Sequence, residues 1–107
     1  MPACASRRRA LSLASRCCGA LSAWGFRGVI AQRPSRDREP WGAGIAVVIA
    51  LVHCRVLVIE CRPGRSNRRK ALSDFLRQAL REGHQSFAVR NAEELELVMS
   101  ARGYIAP

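Results

Sequence analysis

The pattern of hydrophobic and polar positions in this chain changes near residue 40, and most of the regular elements it predicts lie after that point. An eight-residue apolar run at 45–52 is followed by the polar residues 53–55 and by a second, β-branched run at 56–59. Continuous apolar runs of this length are typical of strands buried on both faces. Two such runs across a break of about three residues predict a β-hairpin.

A membrane-spanning helix is the other structure that a long apolar stretch indicates, and the charge pattern disfavours it. A helical span needs about 20 predominantly apolar residues. The stretch that begins at Gly42 is interrupted by His53 and Arg55 and ends at Glu60. We therefore expect a pair of strands and no membrane partner.

A helix is predicted after the Pro63-Gly64 turn. Ser66 or Asn67 can cap its first turn, and Gly83 ends it. Its apolar positions recur at spacings of three and four, which predicts one buried stripe. The positions of the stripe are Ala71, Leu72, Phe75, Leu76, Ala79 and Leu80.

A strand and a second helix complete the predicted elements. Residues 85–90 alternate, so that Phe87 and Val89 are expected inside and Ser86 and Ala88 outside. Asn91 is expected to cap a helix over 92–101 that stops at Gly103, with Leu95, Val98 and Met99 inside. The order is β-β-α-β-α, and its helical crossover to the third strand predicts an α/β fold with a mixed sheet flanked by helices.

The first 36 residues have a different composition. They contain seven arginines and five serines, and Asp37 is the first acidic residue of the chain. A basic, serine-rich and acid-free segment is typical of an organelle transit peptide, a disordered tail or an upstream start that is not native, and it faintly resembles an export signal. Trp24, Phe26, Val29 and Ile30 could form a short element that packs on the domain. We expect residues 1–40 to be a leader or tail with a linker, and 41–107 to be the folded domain.

The net charge indicates which kind of partner the protein binds. Eighteen basic and eight acidic residues give a formal net charge of +10, and Lys70 is the single lysine among the basic residues. Guanidinium groups match phosphate oxygens two at a time, so the charge favours DNA or another nucleic acid as a partner.

The five cysteines include no C-x-x-C pair, which disfavours a zinc site. The cysteine pattern favours reduced thiols in an intracellular protein, cytoplasmic or nucleoid-associated.

A family resemblance is carried by residues 42–103. Glu60-Cys61-Arg62 ends a strand, a Pro-Gly turn and a basic amphipathic helix follow, and Gly83-His84 leads to a strand that ends in Val89-Arg90 before Glu93-Glu94. This order resembles the VRR-NUC domain, a branch of the PD-(D/E)xK nucleases. The resemblance implies a restriction-endonuclease-like core, metal-dependent hydrolysis of phosphodiesters, Mg²⁺ or Mn²⁺ as cofactor, and a homodimer as one form of assembly.

The resemblance also implies roles for single residues. Glu60 matches the metal-binding carboxylate, and Arg62, on the same face of the strand, matches the lysine that stabilises charge on the phosphate. A basic cluster where the turn enters the helix, together with Arg90, would contact nucleic acid. The residues of the cluster are Arg65, Arg68, Arg69 and Lys70. As alternatives, Glu60 and Arg62 form a strand-end ion pair, and the cluster is a solvated helix face.

The catalytic set is incomplete by the family's pattern. Residues 41–59 contain no Asp or Glu, so the first metal ligand is missing, and Asp37 or Glu39 in the linker would have to replace it. Arg62 keeps a positive charge but cannot act as a base. Three hypotheses follow: a nuclease-like domain that acts on or binds DNA, a non-catalytic nucleic-acid-binding or dimerisation module, and an open reading frame without a selected function.

Overall fold

A four-stranded mixed sheet organises the protein. The computed structural model describes residues 2–31, 46–63 and 77–106. Strand β1 (Arg27–Ala31) pairs antiparallel with β2 (Ala46–Val52), β2 pairs antiparallel with β3 (Arg55–Cys61), and β3 pairs parallel with β4 (Gln85–Val89). Helix α1 (Pro2–Ala23) precedes the sheet, a helical stretch at 77–81 that we call α2 precedes β4, and α3 (Ala92–Ala101) follows β4.

The predicted hairpin is confirmed, with a tighter turn than expected. Strands β2 and β3 pair from Ala46 with Cys61 to Val52 with Arg55, which leaves His53 and Cys54 as a two-residue turn. Both turn residues have positive φ, 51° and 66°. Two-residue hairpin turns require such angles because their twist matches that of the strands. The strand also continues through Glu60 and Cys61, two residues beyond the apolar run.

Helices α1 and α3 cover one face of the sheet and form the main core with it. Alternate residues of β2 and β3 face them, and Phe87 and Val89 of β4 face the same core, as the alternation predicts. Cys61 is fully buried there. The fully buried side chains that the two helices contribute to this core include Leu13, Cys17, Leu21, Leu95 and Met99.

The opposite face of the sheet is covered by α2. Ala79 packs there with Val47 and Val58, as the predicted helical stripe requires. Leu80 was expected in the same stripe and is 52% exposed, because the helix turns it away from the sheet. Ser86 was expected outside and is buried, whereas Ala88 on the same face of β4 is exposed, as expected. The predicted positions 71, 72, 75 and 76 of the stripe lie outside the described residues.

The N-terminal third contributes a helix and a strand to the described fold, and the predicted boundary at residue 40 stays a prediction. Residues 2–23 form α1, and Val29 and Ile30 belong to strand β1 of the same sheet. Helix α1 packs on the sheet because its apolar residues, most of them small, recur at helical spacing and form one stripe. The arginines of α1 lie on the other side of the helix. The buried positions of the stripe are Ala10, Leu13, Ala14, Cys17 and Leu21. The predicted linker lies outside the described residues.

Helix α3 matches its prediction at both ends. The backbone N–H of Glu94 donates to Asn91 Oδ1 at 2.8 Å, and this satisfies one of the free donors of the first turn. Glu93 and Glu94 lie at the positive end of the helix dipole. After Ala101, Gly103 takes a positive φ of 80° and the chain leaves the helix.

The coarse fold class is therefore α/β with a mixed sheet and helices on both faces. From residue 46 onward the described elements follow the predicted order, and β1 and α1 extend it at the N-terminal side. The restriction-endonuclease-like core is a finer assignment that stays a prediction. In the described ranges, we find no helix with the length and apolarity that a bilayer crossing requires.

Candidate functional site

The sequence-predicted site residues that the structure describes meet at one end of the sheet. Strands β3 and β4 run parallel, so their carboxyl ends lie side by side. Glu60 is next to last in β3, Arg62 directly follows β3, and Arg90 directly follows β4. The backbone N–H of Arg62 donates to Val89 O at 2.9 Å, which continues the ladder beyond the end of β3. We call this edge the Glu60 end.

Glu60 forms a buried ion pair with Arg62. Oε2 of Glu60 lies 3.3 Å from Nε of Arg62, and their side chains are 1% and 20% exposed. The two residues are two apart on a strand, so they share the face that α2 covers. The residues that pair with Glu60 on the two neighbouring strands are apolar: Val47 on β2 and Ala88 on β4. A charged carboxylate in such surroundings depends on the guanidinium for compensation.

Arg90 is exposed at this end, and its backbone is fixed by helix α3. Its N–H donates to Glu94 Oε1 at 2.7 Å, while Asn91 accepts from the N–H of Glu94. The two bonds together form a capping arrangement at the start of α3. The Arg90 side chain is accessible to a ligand. The basic cluster of Arg65, Arg68, Arg69 and Lys70 lies outside the described residues, and its role stays a prediction.

The described residues at the Glu60 end do not by themselves fit a divalent cation. Mg²⁺ and Mn²⁺ prefer several oxygen ligands, with carboxylates as the protein's charged donors. Within the described ranges no group of three or more His, Cys, Asp or Glu side chains is arranged to hold a metal ion. The one carboxylate near the ends of β3 and β4 that is buried there, Glu60, faces a guanidinium. Asp37 and Glu39, the other candidate ligands, lie outside the described residues.

A thiol pair that the sequence analysis did not connect lies in the main core. Cys17 of α1 and Cys61 of β3 are both fully buried, and their side chains are hydrogen bonded to each other. This bond holds the pKa of Cys17 below its usual value, burial opposes the effect, and the charge of Arg16 adds to it. For Cys61 the same bond has the opposite effect and is the largest cause of a raised pKa. Burial and the charge of Cys17 raise the pKa of Cys61 further. The expectation of buried thiols is confirmed for these two residues.

Two further thiols have different surroundings. Cys18 is half-buried next to Cys17, and burial raises its pKa. Cys54 is exposed in the hairpin turn. Because Cys17 and Cys61 are 44 positions apart in the sequence and on different elements, no local spacing signalled their contact.

Positive charge is distributed over the described surface. Helix α1 exposes arginines on the side away from its buried stripe, and the sheet and the other helices expose more. The exposed arginines are Arg8, Arg9, Arg16, Arg27, Arg55, Arg77, Arg81, Arg90 and Arg102. Among the described residues, these arginines are exposed to solvent, whereas Arg62 is held in the buried pair.

Comparisons with known proteins add no relative. No protein-family model, curated protein or solved structure matches this chain. The nuclease resemblance therefore rests on the order of the elements and on the residues between 42 and 103.

Proposed function

We propose that this protein binds nucleic acid through exposed arginines and that its nuclease-like residues at the Glu60 end do not support efficient cleavage. The supporting observation is the contrast in exposure between the two kinds of charge. The carboxylate that would hold a metal is buried against Arg62, while the arginines of the helices and of the strand ends face solvent. Exposed guanidinium groups contact phosphates without any metal.

The net charge gives this proposal its energetic basis. A chain of 107 residues with a formal net charge of +10 attracts polyanions over a distance of several ångströms. Each phosphate that an arginine neutralises releases a condensed counterion, and binding then weakens as salt concentration rises. Binding of this kind needs no base-specific contacts.

The test is a binding titration of the full chain with fluorescein-labelled DNA. We expect the logarithm of the affinity to fall linearly with the logarithm of salt concentration, by about 0.9 per phosphate contact on duplex. A variant with Arg65, Arg68, Arg69 and Lys70 changed to Gln should lower this slope if the predicted cluster binds. A variant with Arg8, Arg9 and Arg16 changed to Gln tests the exposed arginines of α1 in the same way, and the two slopes show which set contacts more phosphates. Absence of salt-sensitive binding by the wild-type chain would contradict the proposal.

Metal-dependent cleavage is the competing function, and it is supported by the placement of Glu60 beside Arg62 at the end of β3. The same DNA is incubated with the protein in Mg²⁺, Mn²⁺ or EDTA. We expect intact DNA in all three. The contrary result is cutting that requires the metal, is lost in Glu60→Gln and persists in Glu93→Gln. This result would show that the protein is an enzyme and that a second carboxylate joins Glu60 in holding the metal.

A further inference from the structure

Three rings from distant parts of the chain meet at the opposite end of the sheet from Glu60. Phe26 precedes β1, His53 lies in the hairpin turn, and Tyr104 follows α3. The ring centroids of Phe26 and His53 are 5.4 Å apart at an interplanar angle of 75°, and those of His53 and Tyr104 are 5.9 Å apart at 23°. We call these three residues the ring cluster.

His53 is the exposed member of the ring cluster and is held in place from two sides. Its Nε2 lies 3.3 Å from the carbonyl oxygen of Tyr104, and the rings of Phe26 and Tyr104 are half-buried beside it. His53 also adopts a φ of 51°, a left-handed conformation that turns of this kind usually assign to Asn or Gly. A bulky side chain such as that of His53 lowers stability when the backbone has this conformation. The conformation places an exposed ring at the turn.

Two exposed arginines lie next to members of the ring cluster in the chain. Arg55 begins β3 just after the hairpin turn, with the same alternation as the buried Leu57 and Ile59, and Arg102 lies two residues before Tyr104. Arg27 directly follows Phe26, but it pairs with the exposed Leu51 and so lies on the opposite face of the sheet. Arg102 is held in position, since it donates to Gln85 Oε1 at 2.7 Å and its guanidinium lies 5.0 Å from the centre of the Phe87 ring.

Three of the acidic residues that the structure describes lie away from the ring cluster. Glu93 and Glu94 lie at the start of α3, and Glu60 lies at the far end of β3 from Arg55. Glu82 precedes β4, whose first residue pairs near the hairpin turn, and it accepts a hydrogen bond from Gln78. The sheet therefore has one end with aromatic rings and exposed arginines and a Glu60 end with the buried ion pair.

We infer that the ring cluster, with Arg55 and Arg102, is a binding site for single-stranded nucleic acid. An exposed ring offers a surface on which an unstacked base can stack, and flanking guanidinium groups contact the phosphates on either side of that base. A duplex keeps its bases paired and stacked, so it gains the phosphate contacts and not the stacking. This inference rests on the proposed function and assigns its contact surface and its preferred form of nucleic acid.

The experiment compares a labelled oligothymidine with a duplex hairpin, using the full chain and its variants. Stacking on one aromatic side chain is worth about 1–3 kcal/mol per base, so His53→Ala should weaken binding of the single strand at least about fivefold and leave duplex binding nearly unchanged. His53→Phe keeps a ring at this position and should retain the single-strand affinity. Arg55→Gln should lower the salt slope for the single strand by about 0.7.

Cys54→Ala is the matched control, because it changes the other exposed residue of the same turn and adds or removes no ring. Thermal unfolding of each variant confirms that the fold is retained. Wild-type affinity of both His53→Ala and Arg55→Gln for the single strand would overturn the inference and leave the proposed function standing. An equal loss on duplex and single strand in His53→Ala would overturn the single-strand assignment. Failure of the wild-type chain to bind either nucleic acid would instead reject the proposed function.

Discussion

Arg62 holds its Nε 3.3 Å from Oε2 of Glu60 on the covered face of the sheet, just where β3 ends. The pair explains how an acidic residue that is only 1% exposed remains compatible with a neighbouring apolar sheet. It also lowers the availability of Glu60 to a metal ion, because the carboxylate already faces a cation. The same two residues thus support a structural role in the described part of the chain.

The first prediction concerns this ion pair. Arg62→Met should lower the free energy of unfolding by about 3 kcal/mol, because it leaves the Glu60 charge buried without its guanidinium. Glu60→Gln should cost less, since a neutral amide is cheaper to bury than a carboxylate. The double variant Glu60→Met, Arg62→Met should recover part of the loss. Urea denaturation measures all three, and losses below about 0.5 kcal/mol in Arg62→Met would contradict a buried pair.

The second prediction tests whether α1 belongs to the folded unit. Leu21 is fully buried between α1 and the sheet, so Leu21→Ala should reduce the free energy of unfolding by about 2–5 kcal/mol. Leu97→Ala is the matched control, because Leu97 is a helical leucine that is 68% exposed, and a change within about 0.5 kcal/mol is expected. If residues 1–40 were a separable leader, Leu21→Ala would leave the unfolding midpoint unchanged.

The third prediction concerns the N-terminal cap of α3. Asn91→Ala removes the acceptor for the N–H of Glu94 and should cost about 1 kcal/mol. Asn91→Asp keeps an acceptor oxygen near the positive end of the helix dipole and should retain the stability. The measurement is the midpoint of urea unfolding. It reports stability when the slope of the unfolding free energy against urea concentration is the same in all variants. Equal destabilisation by both substitutions would show that the amide group, and not the accepting oxygen, is what the cap requires.

The fourth prediction is a pH dependence that arises from the buried thiol pair. The lowered pKa of Cys17 means that the folded protein releases this proton before an unfolded thiol does, so stability should rise with pH up to about 8.5. The raised pKa of Cys61 means that the folded protein retains a proton that the unfolded chain loses. Above about pH 9 stability should therefore fall as pH rises, with a slope of at most about 1.4 kcal/mol per pH unit from Cys61, and Cys18, whose pKa is also raised, adds to this fall.

The comparison that checks this profile uses two cysteine variants. Cys61→Ala removes the hydrogen bond between the thiols, and the rise and fall in stability that arise from the pair should both be lost. Cys54→Ser changes an exposed thiol outside the pair and should preserve the wild-type profile. Identical pH profiles for the wild type and Cys61→Ala would show that the two thiols do not share a proton.

The elements after residue 45 could be predicted from the sequence because their signals are local. The apolar runs on either side of His53 and Cys54 specify a hairpin, since each residue of a strand buried on both faces must be apolar. Asn91 and Gly103 mark the ends of α3 through bonds and backbone angles within a few residues. The parallel pairing of β3 with β4 also follows, because a helical crossover returns the chain in the same direction.

The N-terminal third could not be assigned in the same way. Its composition is that of a leader, and the helical stripe is made largely of small residues such as Ala10, Ala14 and Cys17, which carry little hydrophobic signal. Their burial depends on close approach of α1 to a sheet whose strands β2 and β3 lie far along the chain. Packing of this kind is a property of the assembled core and not of any local window.

The sequence by itself thus determined the hairpin, the crossover, the capped last helix and the strongly basic surface, because each depends on near neighbours or on composition alone. Tertiary structure decided which charged groups are exposed and which are neutralised. It buried Glu60 against Arg62, and it joined Phe26, His53 and Tyr104 at the other end of the sheet. The physical reason is that contacts across a sheet join residues dozens of positions apart, and strand register sets those contacts.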